Sequence, residues 1–368
     1  MVAGEWVFIS HARSSEETSL TDHPLRVGIA GYGVVGRRRR QFIDANPHLR
    51  TVAVSDATFG TSGKWQDGVD FCDSWEKILG LGLDVLFVCL PNDLAPIATI
   101  GGLEHGMHVF CEKPPGRTVE DIRQVIRSEQ AHPGLKLKYG FNHRYHDSVR
   151  EAKDIIDSGR YGAIINLRGV YGKSTIIPFS GGWRSQRAIA GGGILLDQGI
   201  HMLDMIRLFC GDFEEIYSCV SNDYWRHDVE DNAYALMRNA KGVVAMLHST
   251  ATQWRHKFRL EITLRDALLE LTGILSGSKS YGEEKLTIVE RKDGIVNGSF
   301  REVTTAYLDD HSWKDEIDEF ADVIVEQRPV LSGTSLDALH VMEMVYRIYS
   351  ADLSWRRKFS IPVTENDD

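Results

Sequence analysis

The feature that most constrains the fold is a glycine-rich loop that fits the pattern G-x-G-x-x-G. It follows the apolar run Leu25–Ala30 and precedes a segment of helical spacing at residues 37–46, and Asp56 closes the next apolar run, Thr51–Ser55. Such glycines permit a tight turn, let the backbone approach a pyrophosphate and let the helix pack closely on the strand. We therefore predict a dinucleotide-binding site with an adenosine ribose at Asp56. The loop residues predicted to bind it are Gly31, Tyr32, Gly33, Val34, Val35 and Gly36.

The residues around this loop also bear on which dinucleotide is bound. A carboxylate at Asp56 would accept hydrogen bonds from a ribose diol and repel a 2′-phosphate, which favours NAD over NADP. The arginine run Arg37–Arg40 keeps NADP open, because a cation beside the ribose accepts a phosphate. A solvated helix face is the commoner explanation of such a run. For the loop itself, the alternative is a strand–helix turn without a ligand.

The apolar pattern divides the chain near residue 140. Before that point, short apolar runs such as Val85–Leu90 and Met107–Cys111 alternate with helical segments such as Leu94–His105. This alternation is typical of parallel strands joined by crossover helices. We therefore predict an N-terminal extension over residues 1–23 and an α/β Rossmann domain, a doubly wound parallel sheet, over residues 24–140.

After residue 140 the pattern changes to helices followed by alternating strands. The predicted helices are Val149–Ser158, Ile194–Phe209, Trp313–Glu326 and Ser335–Ser350. The predicted strands are Glu215–Ser221, Asn232–Met237, Gly242–Ser249, Phe258–Thr263, Ala267–Thr272 and Lys285–Val289. We predict an α+β domain over residues 141–368 with an open, mostly antiparallel sheet, whose C-terminal helices pack partly on the first domain. An open sheet needs cover, and a second subunit is one way to supply it.

Composition excludes several classes of protein. The 368 residues carry 42 lysines and arginines against 52 acids, a formal charge of −10, which argues against a nucleic-acid partner. Five scattered cysteines without a C-x-x-C pair predict neither a disulfide framework nor a zinc site, and fit a reducing cytoplasm. No apolar stretch approaches the roughly 20 residues that cross a bilayer. The N-terminus also lacks the features of a signal peptide. We expect a cytoplasmic protein without a metal or a membrane partner.

Two motifs follow predicted strands at the sheet edge where α/β proteins bind ligands. Glu112-Lys113-Pro114 comes directly after one strand, and the proline keeps Lys113 extended. A lysine in that place can polarise a substrate oxygen or move a proton, although a surface lysine in a turn has the same pattern. Pro91 and Asn92 follow another strand and are expected beside the ribose or nicotinamide, although Pro-Asn also favours a plain turn.

A third motif lies in the second half of the chain. Three glycines at residues 191–193 lead into a predicted helix on which Asp197 and His201 are four residues apart, so they would be neighbours on one face. A carboxylate beside an imidazole raises its basicity and fixes its orientation, which suits a proton donor or acceptor. The alternatives are a helix-stabilising pair and a metal site, for which no third ligand is suitably spaced.

Taken in order, these motifs resemble a known family. They are G-x-G-x-x-G at 31–36, Pro91-Asn92, Cys-Glu-Lys-Pro at 111–114, G-F-N-x-R at 140–144, Trp183-Arg184 and G-G-G-x-L-L-D-x-G-x-H at 191–201. The order resembles the glucose–fructose oxidoreductase / inositol dehydrogenase / rhizopine-catabolism (Gfo/Idh/MocA) family over residues 24–362. The glycine loop is unspecific, whereas Glu-Lys-Pro followed some 80 residues later by D-x-G-x-H is specific.

The resemblance implies a set of site residues. The catalytic residues would be Lys113, Asp197 and His201. Beyond the loop, the cofactor contacts would include Asp56, Pro91, Asn92, Glu112, Lys113, Trp183 and Arg184, and the substrate contacts Arg144, Tyr145, Arg187 and His201. His201 would exchange the hydroxyl proton, Asp197 would hold the imidazole and Lys113 would stabilise the developing alkoxide, although Lys113 and His201 could exchange acid–base roles. Departures from the family pattern are Pro115-Gly116, His143 and residues 1–23.

The resemblance also implies an activity. We expect an NAD(P)-dependent enzyme that oxidises a secondary sugar hydroxyl or reduces the matching ketone, as a homodimer or homotetramer joined through the second sheet. Arg144, Arg184 and Arg187 would suit a phosphate, which points to a nucleotide sugar of surface-polysaccharide synthesis. The alternatives are an inositol or free-sugar dehydrogenase, a non-catalytic dinucleotide or sugar sensor, and glycoside cleavage with a recycled cofactor.

Overall fold

The structure, a computed structural model, contains two sheets with helices packed on them, and it describes residues 23–176, 182–276, 280–291 and 299–362. Residues 1–22 of the predicted N-terminal extension lie outside the described residues. The predicted fold class is confirmed: one sheet is parallel and of the Rossmann type, and the other is mostly antiparallel. In the described ranges, no helix combines the length and apolarity needed to span a bilayer.

The first sheet has the strand order β3-β4-β2-β1-β5-β6-β7 and is parallel except for the β3–β4 pair. Its strands are β1 Leu25–Ala30, β2 Leu49–Ser55, β3 Gly63–Lys64, β4 Asp70–Cys72, β5 Val85–Val88, β6 His108–Glu112 and β7 Leu137–Gly140. The helices between them are α1 Val34–Ile43, α2 Glu76–Leu79, α3 Ala95–Glu104 and α4 Val119–Ala131. The order reverses at β1, which lies between β2 and β5, so the crevice for a ligand opens at its carboxyl end.

The second sheet has the order β15-β14-β13-β12-β8-β11-β10-β9. Its strands are β8 Ile164–Ser174, β9 Glu215–Ser221, β10 Asn232–Arg238, β11 Val244–Gln253, β12 Lys257–Leu264, β13 Ala267–Thr272, β14 Glu284–Arg291 and β15 Phe300–Tyr307. The remaining helices are α5 Asp147–Asp157, α6 Arg187–Ala190, α7 Ile200–Cys210, α8 Ser312–Val325, α9 Ser335–Ala351 and α10 Leu353–Phe359. Only the β8–β11 pair is parallel among the described strands of this sheet.

Helix α8 belongs to the C-terminal part of the chain but packs on the first sheet. Its Phe320 ring lies 5.6 Å from Phe110 of β6 and 6.1 Å from Phe87 of β5, centroid to centroid. Ile317 and Ile324 of the same helix join this core and are almost completely buried. The end of the chain therefore helps to fix the strands whose carboxyl ends form the ligand crevice.

The predicted elements differ from the structure mainly at their ends. Strands β1, β9 and β13 agree residue for residue, whereas α1 begins at Val34 rather than at residue 37. The central strand β8 was not predicted, because two glycines and several polar residues interrupt its apolar pattern. A Cβ at Gly169 of β8 would lie 2.8 Å from Met202, so α7 packs closely against this strand at a position where only glycine leaves room.

Candidate active site

The glycine loop has the shape that a dinucleotide pyrophosphate requires. Gly31 has φ +93°, and a Cβ there would lie 2.4 Å from the Cys89 carbonyl oxygen. A Cβ at Gly36 would lie 2.1 Å from the Gly31 carbonyl oxygen, whereas one at Gly33 would meet nothing within 4 Å. Gly33 precedes α1 without a side-chain cap, so the first N–H groups of the helix remain available to an anion. The open approach at Gly33 and the uncapped helix end fit a bound pyrophosphate.

Asp56 lies at the end of β2, where the ribose was predicted. Its Oδ1 accepts hydrogen bonds from the Thr58 backbone N–H at 2.9 Å and the Thr58 hydroxyl at 2.6 Å, and these bonds orient the carboxylate. Beside it, the Tyr32 and Phe59 rings lie 5.4 and 5.8 Å from the Trp65 ring. This aromatic wall was not predicted, because its rings come from separate short segments between β1 and β4.

The arginine run is not a solvated helix face, and that explanation was wrong. Arg38 pairs with Asp310 at 2.9 Å, and the buried Arg39 pairs with Glu112 at 2.5 Å and with Glu316 at 2.8 Å. Arg40 is held by its own set of partners, which are Asp44, Asp67 and the Tyr32 hydroxyl. Only Arg37 of the run is exposed, and its side chain donates to the Gly33 carbonyl oxygen at 3.3 Å. Three of the four charges are therefore neutralised by acids of this chain.

Lys113 and His201 line one cavity of about 220 Å³. Lys113 follows β6, and its ammonium donates to the Asp197 backbone carbonyl at 2.6 Å. Burial lowers the pKa of Lys113, while Asp197 and Glu112 offset part of that effect. Burial also lowers the pKa of His201 well below its ordinary value, and the neighbouring His143 and the Lys113 ammonium oppose a positive charge on it further. The imidazole is therefore neutral at pH 7 and able to accept a proton.

Other predicted residues meet at the same cavity. Asn92 follows β5 and lines the cavity, and its side-chain amide donates to the Ala190 carbonyl at 2.7 Å. Trp183 and Arg184 also line it, with the guanidinium 4.3 Å from the Trp183 ring centroid. Glu112 lies at the cavity wall and binds Arg39. The carboxyl ends of β5 and β6 thus face the residues that precede α7.

The predicted contact between Asp197 and His201 is not formed. Arg184 Nε lies 3.3 Å from Asp197 Oδ1, and the buried His201 Nδ1 has no hydrogen-bond partner among the described residues. Residues Leu195–Gly199 form a π-helical turn, and the Asp197 carboxylate within it binds Arg184 instead of His201. Burial opposes ionisation of Asp197, but Arg184, Lys113 and Lys173 outweigh it and lower the pKa of the carboxyl.

Three predicted substrate residues are not brought to the cavity. Arg144 is buried between Asp204 and Asp337, and ties the end of β7 to α7 and α9. The Tyr145 hydroxyl accepts from Lys138 at 2.7 Å and donates to Glu319. Arg187 stacks on Phe359 of α10 at 4.4 Å. All three join distant segments of the chain rather than facing the cavity.

Several cavity residues were absent from the predicted site, among them Arg38, His143, Tyr171 and Trp313. The His143 ring stacks on His201 with centroids 3.7 Å apart and planes 15° from parallel. The sequence carried one indication, since His143 stands within the G-F-N-x-R motif as a departure from the family pattern. Tyr171 and Trp313 lie on elements whose distance in sequence from the other motifs hides their proximity.

Comparison with known proteins agrees with this architecture. Residues 25–140 match the family model described as an oxidoreductase family with an NAD-binding Rossmann fold. Residues 149–270 match the model of the GFO/IDH/MocA C-terminal domain.

Individual relatives are similar over much of the chain. A 1,5-anhydro-D-fructose reductase of Ensifer adhaerens is 32% identical over 61% of this chain and 67% of its own length. A D-glucoside 3-dehydrogenase of Escherichia coli K12 is 27% identical over 64% of this chain and 72% of its own length. Among solved structures, a levoglucosan dehydrogenase in complex with NADH has TM-score 0.76 at 23% identity and covers 90% of this chain and 98% of that one.

Proposed function

Because the chain belongs to the Gfo/Idh/MocA family of oxidoreductases and carries its NAD-binding Rossmann domain, we propose that it transfers a hydride between NAD and a secondary hydroxyl or ketone of a sugar. One observation carries the proposal. Lys113 and His201, from different halves of the chain, line a single cavity at the carboxyl ends of β5 and β6. In a doubly wound sheet that edge is where a dinucleotide and its reaction partner bind.

In this proposal Lys113 and His201 act on the same substrate oxygen. The neutral His201 imidazole accepts the hydroxyl proton, and the Lys113 ammonium donates a hydrogen bond to the oxygen as negative charge develops on it. NAD, when bound, supplies the acceptor for the hydride. Asp197 holds Arg184 beside Trp183 and, through its backbone carbonyl, holds Lys113. Asp197 therefore organises the cavity instead of orienting the imidazole.

The substrate we propose is a free sugar, a glycoside or a polyol. The names of two relatives, a D-glucoside dehydrogenase and an anhydro-D-fructose reductase, support the sugar and the glycoside. A nucleotide-linked sugar is the second candidate. It rests on Arg184, which lines the cavity and is half exposed, but Arg144 and Arg187 no longer support it because they are paired elsewhere.

We also propose a homodimer or homotetramer joined through the second sheet. On the face of that sheet away from α7, the exposed side chains Tyr217, Leu236 and Met246 are register neighbours on β9, β10 and β11. Such an apolar strip is typical of a contact surface. Light scattering of the purified protein measures the mass of the assembly.

A cytoplasmic location remains part of the proposal, since all five cysteines are free.

The direct test is formation of NADH from NAD with a panel of glycosides, inositols, free sugars and nucleotide sugars, followed by absorbance. Lys113→Met should lower kcat about 10²- to 10⁴-fold. Its affinity for NAD should change little. Lys77→Met, at an exposed lysine on α2, is the matched control. Full turnover by Lys113→Met would contradict the proposal, and absence of turnover with every sugar would favour a sensor.

A further inference from the structure

The His201 imidazole lacks the acid that the sequence assigned to it, yet its orientation must be fixed for proton transfer. Its Nδ1 is buried without a partner among the described residues, and the Asp197 carboxylate binds Arg184. We propose that His143 is the positioning residue of His201, holding the imidazole by stacking one neutral ring on the other. This inference rests on the proposed function, in which His201 accepts the substrate proton.

The contact between the rings is extensive. The centroids lie 3.7 Å apart and the planes differ by 15°, so the two faces are in van der Waals contact. His143 is 7% exposed and His201 is 4% exposed, so neither ring has room to turn away. With Nδ1 enclosed, Nε2 is the His201 nitrogen left for the substrate.

A chain of hydrogen bonds fixes the other side of His143. Asp310, paired with Arg38 at 2.9 Å, accepts from the Ser312 hydroxyl at 2.6 Å. Because a carboxylate only accepts, Ser312 Oγ is left to accept from the Asn142 side-chain amide at 3.1 Å. The Asn142 amide oxygen then faces the imidazole of His143.

The direction of these hydrogen bonds decides the tautomer of His143. Its Nδ1 donates to Asn142 Oδ1 at 3.2 Å, and its Nε2 accepts from the Tyr171 hydroxyl at 3.2 Å. Burial lowers the pKa of His143 well below its ordinary value, so the ring is neutral with the proton on Nδ1, and protonation of Nε2 would reverse the bond with Tyr171. A neutral ring can stack on His201 without repelling the charge that His201 gains from the substrate, which a second imidazolium would do.

The surroundings of His201 show how loss of the His143 ring should change the pKa of His201. Burial is the main cause of its lowered pKa. His146 stands edge-on to His143 at 5.4 Å and pairs with Glu284 at 2.6 Å. The other charged or titratable groups around the pair include Glu112 of β6, Lys113 directly after β6, Arg39 of α1, Tyr171 of β8 and Asp197 of the π turn. Removal of His143 would admit water, so the pKa of His201 should rise towards its ordinary value.

The test compares His143→Ala, which removes the ring, with His143→Phe, which keeps an uncharged ring. In His143→Ala, kcat for sugar oxidation should fall about 10²-fold through misplacement of His201. The acid limb of its kcat/KM profile should move up by about one pH unit. The KM for NAD should stay near the wild-type value. In His143→Phe the stack persists, so kcat should remain within about tenfold of the wild-type value. Where His143→Ala does not fold, His143→Gln takes its place.

His248→Ala is the matched control. His248 stacks on Tyr234 with centroids 3.9 Å apart and planes 14° from parallel, on the other face of the same sheet, and its removal should leave the acid limb in place. An acid limb at the wild-type pH in His143→Ala would overturn the proposal, as would a His143→Phe variant as slow as His143→Ala.

A second measurement needs no substrate. In NAD-bound protein with isotope-labelled histidine, NMR titration of His201, assigned with His201→Asn, should show a higher pKa in His143→Ala and an unchanged one in His143→Phe. An unchanged pKa in His143→Ala would overturn the inference even if the enzyme is active. A wild-type protein that turns over no sugar would count against the proposed function alone.

Discussion

The proposed site has two walls that are held in different ways. The cofactor wall consists of the glycine loop and the carboxyl ends of β5 and β6, and the substrate wall consists of the segments that carry His143 and Arg184. On the cofactor wall, the backbone sets the positions: Gly31 takes φ +93°, Gly36 leaves no room for a Cβ, and Lys113 extends directly from β6. On the substrate wall, side chains from separate segments of the chain hold one another in position. His143 is fixed by Tyr171 of β8, 28 residues away, and Arg184 by Asp197 of the π turn.

This difference separates what a short stretch of sequence can encode from what it cannot. A glycine at a position of positive φ, or a proline after lysine, constrains the chain regardless of what lies nearby. The partner of a buried imidazole depends on the packing of several elements, so equally polar candidates compete for it. Substitutions on the cofactor wall should therefore change the backbone approach to the cofactor, whereas substitutions on the substrate wall should misplace a neighbouring side chain.

The largest effect on the cofactor wall is expected from Gly33→Ala. A Cβ there meets no atom of the protein within 4 Å, so the fold should be unaffected, but the methyl group would lie where we propose that the pyrophosphate approaches the backbone. We expect the Kd for NAD to rise about 100-fold, from loss of close backbone contact and helix N–H bonds to phosphate. The thermal midpoint without ligand should stay within about 2 °C. Isothermal titration calorimetry measures the Kd for NAD, and thermal unfolding measures the midpoint.

Gly36→Ala is the matched comparison, because its Cβ would lie 2.1 Å from the Gly31 carbonyl oxygen. That variant should lose stability and affinity together. If Gly33→Ala binds NAD as tightly as the wild type, the pyrophosphate does not pass over this residue, and the cofactor wall is not set by its backbone.

The same division explains which predictions from sequence succeeded. The parallel sheet and the strand before the glycine loop follow local patterns and are confirmed. The strand β8 was missed because Gly169 and Gly172 serve contacts with Met202 and Gln253, which no local pattern reveals. The partner assigned to Asp197 was wrong because Arg184, which comes from a separate segment, binds the carboxylate. The catalytic roles of Lys113, Asp197 and His201 stay predictions.

The cofactor wall has one exception, a buried cluster of Arg39, Glu112 and Glu316, in which side chains rather than the backbone set the positions. The protonation of Glu316 therefore tests the comparison between the two walls. Burial raises the pKa of Glu316 to about 7, above its ordinary 4.5, although Arg39 opposes the rise. Between these values the folded protein holds a proton that the unfolded chain has released, so the free energy of unfolding falls as pH rises towards 7. Glu316→Gln cannot titrate. Relative to this variant, the wild type should lose about 2 kcal/mol between pH 5 and pH 7.

Urea unfolding of both proteins at several pH values measures this difference. Subtracting the pH dependence of Glu316→Gln from that of the wild type cancels the contribution of His143 and His201. The lowered pKa values of these histidines make the free energy of unfolding rise with pH, opposite to the effect of Glu316. Parallel pH dependences would mean that Glu316 is ionised throughout the range and that Arg39 outweighs its burial.

The smallest effect concerns the choice between the two dinucleotides. Asp56→Ala removes the acceptor for the ribose hydroxyls, so the Kd for NAD should rise about tenfold. The Kd for NADP should improve only slightly, from loss of the repulsion between the carboxylate and the 2′-phosphate, because Arg38 is neutralised by Asp310, Arg39 is buried with Glu112, and Arg40 is held by acids of its own. Titration with both dinucleotides measures this. Thr58→Val keeps the carboxylate but removes one bond to it, and should change affinity less. A switch of Asp56→Ala to NADP would show that the arginine run reaches the ribose despite its partners, so that side chains would decide specificity on the cofactor wall as well.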